Sequence, residues 1–230
     1  MNKLTPPATE QELLQRSYQL SGLSLADLAS AYHQTLPYSL HQAKGFIGQL
    51  IEYALGANGL NLPEPDFPNL GIELKTLPIN ANGQPRETTY VCTAPINLSA
   101  EIEPWEHSRV RNKLMRVLWV PIEADPIIPL AKRRIGTPIL WSPDPATEQI
   151  LQQDWEELTH MLHLGQTANL SAKIGIYLHL RPKAAHSRVL NRAINEEGDE
   201  LMVNPRGFYL RTLLTHKILT ECYCRPCVRQ

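Results

Sequence analysis

Arg116-Val-Leu-Trp-Val-Pro-Ile122 is the most apolar run of the chain, and it leaves the fold few choices. A short, nearly uncharged run of this kind predicts a central strand, covered on both faces. The segments before it read as helices and those around it as strands, with a mixture afterwards. That order predicts an α/β or α+β fold: a mixed central β-sheet flanked by helices.

The helical signals come first. Thr9-Glu-Gln-Glu12 has the form of a capping box and starts a helix that should stop near Gly22. Ser24-Leu-Ala-Asp27 starts a second, with Leu25, Leu28, Ala29 and Tyr32 on its buried face. Lys44-Gly45-Phe46 opens a third, ending near Leu55, in which Phe46, Ile47, Leu50, Ile51, Ala54 and Leu55 form an apolar stripe. Glu52 sits off that stripe and by itself reads as a surface glutamate. Asp144-Pro145 caps a long helix with Ile150, Leu151, Trp155, Leu158 and Leu162 as its stripe and Gly165 as its end. His160 and His163 on that helix read as structural or surface residues.

Strand signals fill the middle. Leu70-Gly-Ile-Glu-Leu-Lys75 alternates and should stop at Pro78. The Asn82-Gly83 turn signal and the β-formers of Glu87-Thr-Thr-Tyr-Val-Cys-Thr93 predict that a hairpin follows. Pro126 to Trp141 should add one or two strands around Lys132-Arg-Arg134, and Lys173 to Arg181 alternates as a further strand. Residues 184–204 mix helical and loop signals, and Arg206-Gly207-Phe208-Tyr209 opens a closing helix through Leu219.

Within the first of these strands lies a chemical pattern. Ile72 and Leu74 point to one side and Glu73 and Lys75 to the other, with Asp66 at the strand's start. Pro65-Asp66 and Glu73-Leu74-Lys75 together spell the PD-(D/E)xK signature of metal-dependent nucleases. A divalent ion such as Mg²⁺ prefers oxygen ligands and needs few of them from protein when phosphate supplies others. Asp66, Glu73 and the Leu74 carbonyl form such a set, and Lys75 could orient or deprotonate the attacking water and stabilise charge at the phosphorus. The same spacing also fits a solvent-facing strand with Asp66 in a turn.

Charge distribution narrows the partner. The net charge of −1 conceals 5 Lys/Arg against 11 Asp/Glu in residues 1–108, and 17 against 12 in residues 109–230. An acidic metal-binding part joined to a basic part suits a nucleic-acid enzyme. Neither a signal peptide nor an apolar run of membrane-spanning length is visible, which predicts a cytoplasmic protein without a membrane partner. Cys222-x-Cys224-x-x-Cys227, even with His216 upstream, lacks the paired knuckles of a zinc motif and reads as free thiols in a frayed tail.

The chain also resembles the MutH family of DNA mismatch repair endonucleases along nearly its whole length. The residues that carry the likeness include Lys44-Gly-Phe-Ile-Gly48, Leu70-Gly-Ile-Glu-Leu-Lys-Thr76, Glu87-Thr-Thr-Tyr-Val-Cys92 and Arg116-Val-Leu-Trp-Val-Pro121. Asp154-Trp-Glu-Glu-Leu158, Leu164-Gly-Gln166, Arg181-Pro-Lys-Ala-Ala185 and Pro205-Arg-Gly-Phe-Tyr-Leu210 continue it in the same order.

The resemblance implies a restriction-endonuclease-like fold: one nuclease domain over residues 1–230, with two lobes around a DNA cleft. The catalytic core would occupy about residues 40–125 and the DNA-reading part about residues 126–220. It implies a monomer that uses one or two Mg²⁺ ions to nick the unmethylated strand of hemimethylated GATC sites in duplex DNA. MutL, and indirectly MutS, would activate it. Glu52, Asp66, Glu73, Lys75 and Lys113 match the family's catalytic positions, and Lys44, Arg181, Pro182, Lys183 and Tyr209 its DNA contacts. Two other readings use the same residues: a GATC restriction endonuclease that cuts both strands unaided, and an inert DNA-binding module on this fold.

Overall fold

The computed structural model describes residues 4–38, 45–57, 63–95, 103–164, 166, 173–183, 191–194 and 200–224. Its chain divides into two compact units, each assembled from separate stretches of sequence. The first comprises Met1–Arg86, Met115–Ser142 and Ile218–Gln230, and the second Glu87–Leu114 and Pro143–Lys217. Among the described residues no helix is long and apolar enough to cross a membrane.

In the first unit, three helices precede the sheet: α1 (Glu10–Gln19), α2 (Leu25–Ala31) and α3 (Phe46–Leu55). Their caps follow the sequence. The Thr9 hydroxyl accepts the Glu12 N–H, although the Glu12 carboxylate takes the Ala8 N–H instead of closing a full box. Ser24 and Asp27 do form the complete reciprocal box. Gly56 ends α3 in the left-handed region at φ 78°. A Cβ there would meet the Thr5 carbonyl oxygen at 2.9 Å, so this turn requires glycine.

The unit's sheet runs in the order β1 (Glu73–Ile79), β3 (Val117–Glu123), β4 (Ile139–Trp141). β1 pairs parallel to β3 and β4 antiparallel to it, so the sheet is mixed and β3, almost wholly buried, is its centre. Leu13, Leu28, Ile51, Leu55, Ile72 and Leu118 belong to one continuous core joining the helices to this sheet. The stretch from Pro126 to Trp141 yields one of the expected one or two strands, β4, whereas strands around Lys132-Arg-Arg134 themselves are absent. A short 3-10 turn and single bridges of Arg134 and Ile135 take their place, with the Arg133 guanidinium, itself nearly buried, donating to the carbonyls of Asp125 and Ile128.

The predicted hairpin does not form. Asn80 and Gly83 make the turn, but only Pro85 bridges back to Ile79. The strand that follows, β2 (Thr89–Thr93), belongs to the second unit and pairs antiparallel with β8 (Arg206–Leu210). Phe208 and Leu210 are buried while Tyr209 between them is only partly covered, which is the alternation of a strand. Tyr209 therefore stands on the middle strand of a sheet ordered β2-β8-β5, where β5 is Leu178–Pro182. The closing helix, α6, begins after it and runs Thr212–Cys224, five residues past the Leu219 expected from sequence. Residues 191–194 and 200–203 form a β6–β7 hairpin where helical and loop signals were mixed.

Helix α5 (Pro145–His163) is capped by Asp144 as the sequence predicts, and its buried Leu151, Trp155, Leu158 and Leu162 supply the core. His160 and His163 are exposed on it. The strand expected from Lys173 starts only at Leu178. Asp154, buried in α5, accepts the backbone N–H groups of Ile176, Tyr177 and Leu178 at 2.7, 2.6 and 2.8 Å, so these amides bend toward a carboxylate. Gly175 permits the bend at φ 82°; a Cβ there would lie 1.9 Å from the Leu178 carbonyl oxygen. Each buried N–H left without an acceptor costs about 1–3 kcal/mol. Asp154→Ala should therefore destabilise the protein by about 3 kcal/mol or more, read as a shifted urea midpoint in tryptophan fluorescence; an unmoved midpoint would refute the clamp.

Candidate active site and DNA-reading face

The carboxylates of the first unit meet because the chain closes a small loop before β1. Phe67 and Ile72 pair through Phe67 N–H to Ile72 O at 2.9 Å, with Pro68–Leu70 as a 3-10 turn and Gly71 left-handed at φ 64° between them. That closure brings Asp66 back beside the strand, where its Oδ2 accepts the Leu74 N–H at 2.9 Å. Parallel pairing explains why the amide is available. Glu73 N–H donates to the Arg116 carbonyl on the β3 side, and the next amide along a strand faces the opposite way.

Glu73 is 2% exposed, which overturns the picture of a solvated strand face. Its Oε1 accepts a hydrogen bond from Lys75 Nζ, giving a largely buried ion pair on one side of β1. Burial makes that pair consequential, since removing either partner leaves a charge in a poorly solvating place. The backbone supporting it is anchored too. Arg116, whose carbonyl holds Glu73, has its guanidinium on both oxygens of Glu10 at 3.1 and 2.7 Å.

Glu52 lies on α3, which packs against β1, and is half-buried rather than exposed. Its Oε1 reaches back over Gly48, where a Cβ would come within 3.8 Å. Among the described residues no three His, Cys, Asp or Glu side chains form a ready-made metal group. Asp66 is anchored on the amide that follows Glu73, which sets its carboxylate beside the strand bearing Glu73 and Leu74. An all-oxygen set of this size fits a hard divalent ion that draws further ligands from water and phosphate. Lys113 lies in the second unit, 8% exposed, on α4 (Arg109–Leu114). Lys44 lies outside the described residues.

On the second unit, one face of the β2-β8-β5 sheet gathers the other predicted residues. Tyr90, Tyr209 and His179 form one row across the three strands, and Thr93, Gly207 and Arg181 the row beside it. The Tyr90 and Tyr209 rings meet edge to face at 5.3 Å, and the Arg181 guanidinium carbon lies 5.7 Å from the Tyr209 ring centre. Gly207 makes room for this: a Cβ there would sit 2.9 Å from Tyr90 Cε2 and 3.3 Å from Tyr209 Cε2. Pro182 and Lys183 follow at the exposed end of β5, the Lys183 N–H donating to the Pro205 carbonyl at 2.8 Å. Exposed cations beside aromatic rings make a surface suited to phosphates and base edges.

Comparison with known proteins gives the chain a family. The sequence model described as "DNA mismatch repair enzyme MutH" matches residues 55–154. A protein named DNA mismatch repair protein MutH from Shewanella baltica (strain OS185) is 50% identical over 223 residues, 97% of this chain and all of that one. The protein of the same name from Vibrio parahaemolyticus serotype O3:K6 is 50% identical over 217 residues, 94% of this chain and 96% of its own. The chain belongs to the MutH family. MutH proteins are DNA mismatch repair enzymes, endonucleases with a restriction-endonuclease-like fold, and the mixed sheet with its flanking helices agrees with that. The MutH match spans Asp66, Glu73, Lys75 and Lys113, while the identity to whole MutH chains extends over the β2-β8-β5 sheet.

Two residues of this face, Tyr90 and Thr93, escape sequence reasoning, because strand alternation puts residues an odd number apart on opposite sides. Burial of the Tyr209 ring, then the neighbouring Tyr90 phenol, push the Tyr209 hydroxyl above the ordinary tyrosine range, with Arg181 opposing and Glu87 adding. The folded protein thus holds this proton more tightly than the unfolded chain. That contribution to stability is complete below about pH 10 and is lost as pH rises through the folded value. Carbon-13 tyrosine NMR should find Tyr209 titrating at higher pH in the folded protein than in urea; an equal or lower midpoint would contradict the packing described.

Proposed function

We propose that this chain is a Mg²⁺-dependent endonuclease that nicks the unmethylated strand at hemimethylated GATC sites during mismatch repair. In this reading it acts as a monomer in the cytoplasm, activated by MutL after MutS has signalled a mismatch. Cutting falls to Glu52, Asp66, Glu73 and Lys75 with Lys113. Reading falls to Arg181, Pro182, Lys183 and Tyr209, with Lys44 as a further DNA contact.

The observation that carries this reading is the carboxylate pair at the start of β1. Asp66 is fixed by the Leu74 N–H, and Glu73 is buried against Lys75. Asp66, Glu73 and the Leu74 carbonyl would hold the ion, which supplies neutralisation of the phosphate charge. Lys75, held against Glu73, orients the attacking water and stabilises charge on the phosphoryl oxygens. Asp66 keeps its place without help from DNA, because its partner is the backbone of the same strand.

For the reading face, a wall of two tyrosines detects the added bulk of an N6-methyl group in the major groove, while Arg181 and Lys183 donate to guanine or phosphate. The test mixes the protein with Mg²⁺ and unmethylated, hemimethylated or fully methylated GATC duplexes, with and without MutL. Nicking should be strongest with MutL, confined to the unmethylated strand, and absent on the fully methylated duplex. Equal cutting of all three, or none even with MutL, would overturn the proposal. Glu73→Gln should lower the cleavage rate by about two orders of magnitude or more while DNA affinity stays within a few-fold. Lys183→Ala should reduce discrimination between methylated and unmethylated duplexes.

A further inference from the structure

The β2 strand contains an irregularity that serves the reading face. Its register against β8 shifts between Tyr90 and Cys92. In a regular strand Tyr90 and Cys92 would share a face and Thr93 would point the other way. The extra residue of a bulge reverses that parity. Cys92 is instead buried at 4% exposure, and Thr93 comes onto the Tyr90 face, their hydroxyl oxygens 3.0 Å apart.

Both hydroxyls meet Lys183. Its Nζ donates to the Tyr90 phenol oxygen, and to Thr93 Oγ1 at 3.1 Å, while lying 4.0 Å from the Tyr90 ring centre. An ammonium group has three donors on a stem that otherwise samples many rotamers, and fixing it costs that freedom. Two directed acceptors and a ring face settle much of that loss before DNA arrives. A lysine so held differs from a mobile surface cation, which contacts any phosphate within reach.

We propose that Tyr90 and Thr93 are positioning residues for Lys183: their two hydroxyls clamp its ammonium group and aim the remaining N–H at an acceptor on the DNA. The clamp turns a general phosphate contact into a sequence-selective one. This rests on the reading of Lys183 as a residue that faces GATC. Arg181 is held in a parallel way, its Nη1 donating to Thr88 Oγ1 at 2.6 Å.

Fluorescence anisotropy in EDTA measures affinity for a fluorescein-labelled hemimethylated GATC duplex and for one with the four bases scrambled. The ratio of the two affinities is the readout. Tyr90→Phe keeps the ring and its contact with Tyr209, and Thr93→Val keeps the shape; each should lower the ratio about ten-fold, the low end for one lost hydrogen bond to a charged group. Thr93→Ser should restore it. In a Lys183→Ala background neither change should lower it further. The clamp is overturned if both single variants keep the parent ratio while Lys183→Ala loses it. It is equally overturned if they weaken both duplexes alike, or act undiminished without Lys183. A Lys183→Ala variant that keeps the parent ratio overturns the underlying reading of Lys183.

Discussion

An edge strand has amides with no neighbouring strand to receive them, and in this protein one of those amides organises the chemistry. Among the described strands β1 is laddered to β3 alone, so the Leu74 N–H faces away from the ladder. Leaving it unpaired would cost free energy and would expose an edge to intermolecular pairing. The Asp66 carboxylate receives it, and the placement of the proposed metal ligands follows from that choice. The same device recurs in the second unit. There Asp154 collects three amides ahead of β5, and the far end of that strand carries Arg181 and Lys183. In each unit a carboxylate fixes how the chain enters a functional strand.

Much of the local structure was legible in the sequence because it depends on a few consecutive residues. Thr9, Ser24 and Asp144 cap helices where their side chains can reach the third amide onward, and Gly56 stops α3 where left-handed backbone is needed. The apolar run from Val117 became the central strand for the reason its composition indicates. The failures lie where distant partners decide. Turn chemistry at Asn82-Gly83 is present, yet β2 finds β8, more than a hundred residues away, as its partner. Arg206 to Tyr209 precedes a true helix without capping signals strong enough to mark where it begins. Lys173 to Tyr177 alternates like a strand, but the amides of Ile176 and Tyr177 go to Asp154.

The two functional regions differ in legibility for the same reason. Asp66, Glu73 and Lys75 lie within ten residues, so spacing and a strand period suffice to bring them together. The burial of Glu73 was not legible, since it comes from packing beyond the strand. Glu52 is off its helix's apolar stripe, and only family resemblance distinguishes it from a surface glutamate. The reading face is assembled from β2, β8 and β5 by antiparallel register, and a bulge inverts the side on which Thr93 emerges. Periodicity assumes an unbroken ladder and therefore assigns that residue to the wrong side.

The path of the chain has a consequence for how such a protein can change. It passes from one unit to the other after Arg86, Leu114, Ser142 and Lys217, the last within the continuous helix α6. No single cut in the gene separates the stretch bearing Asp66 and Glu73 from the one bearing Lys183 and Tyr209 and leaves both complete. Shuffling or truncation therefore cannot trade one blade or one reader for another. A crossover within the gene carries pieces of both units together, so the two proposed sites are inherited jointly.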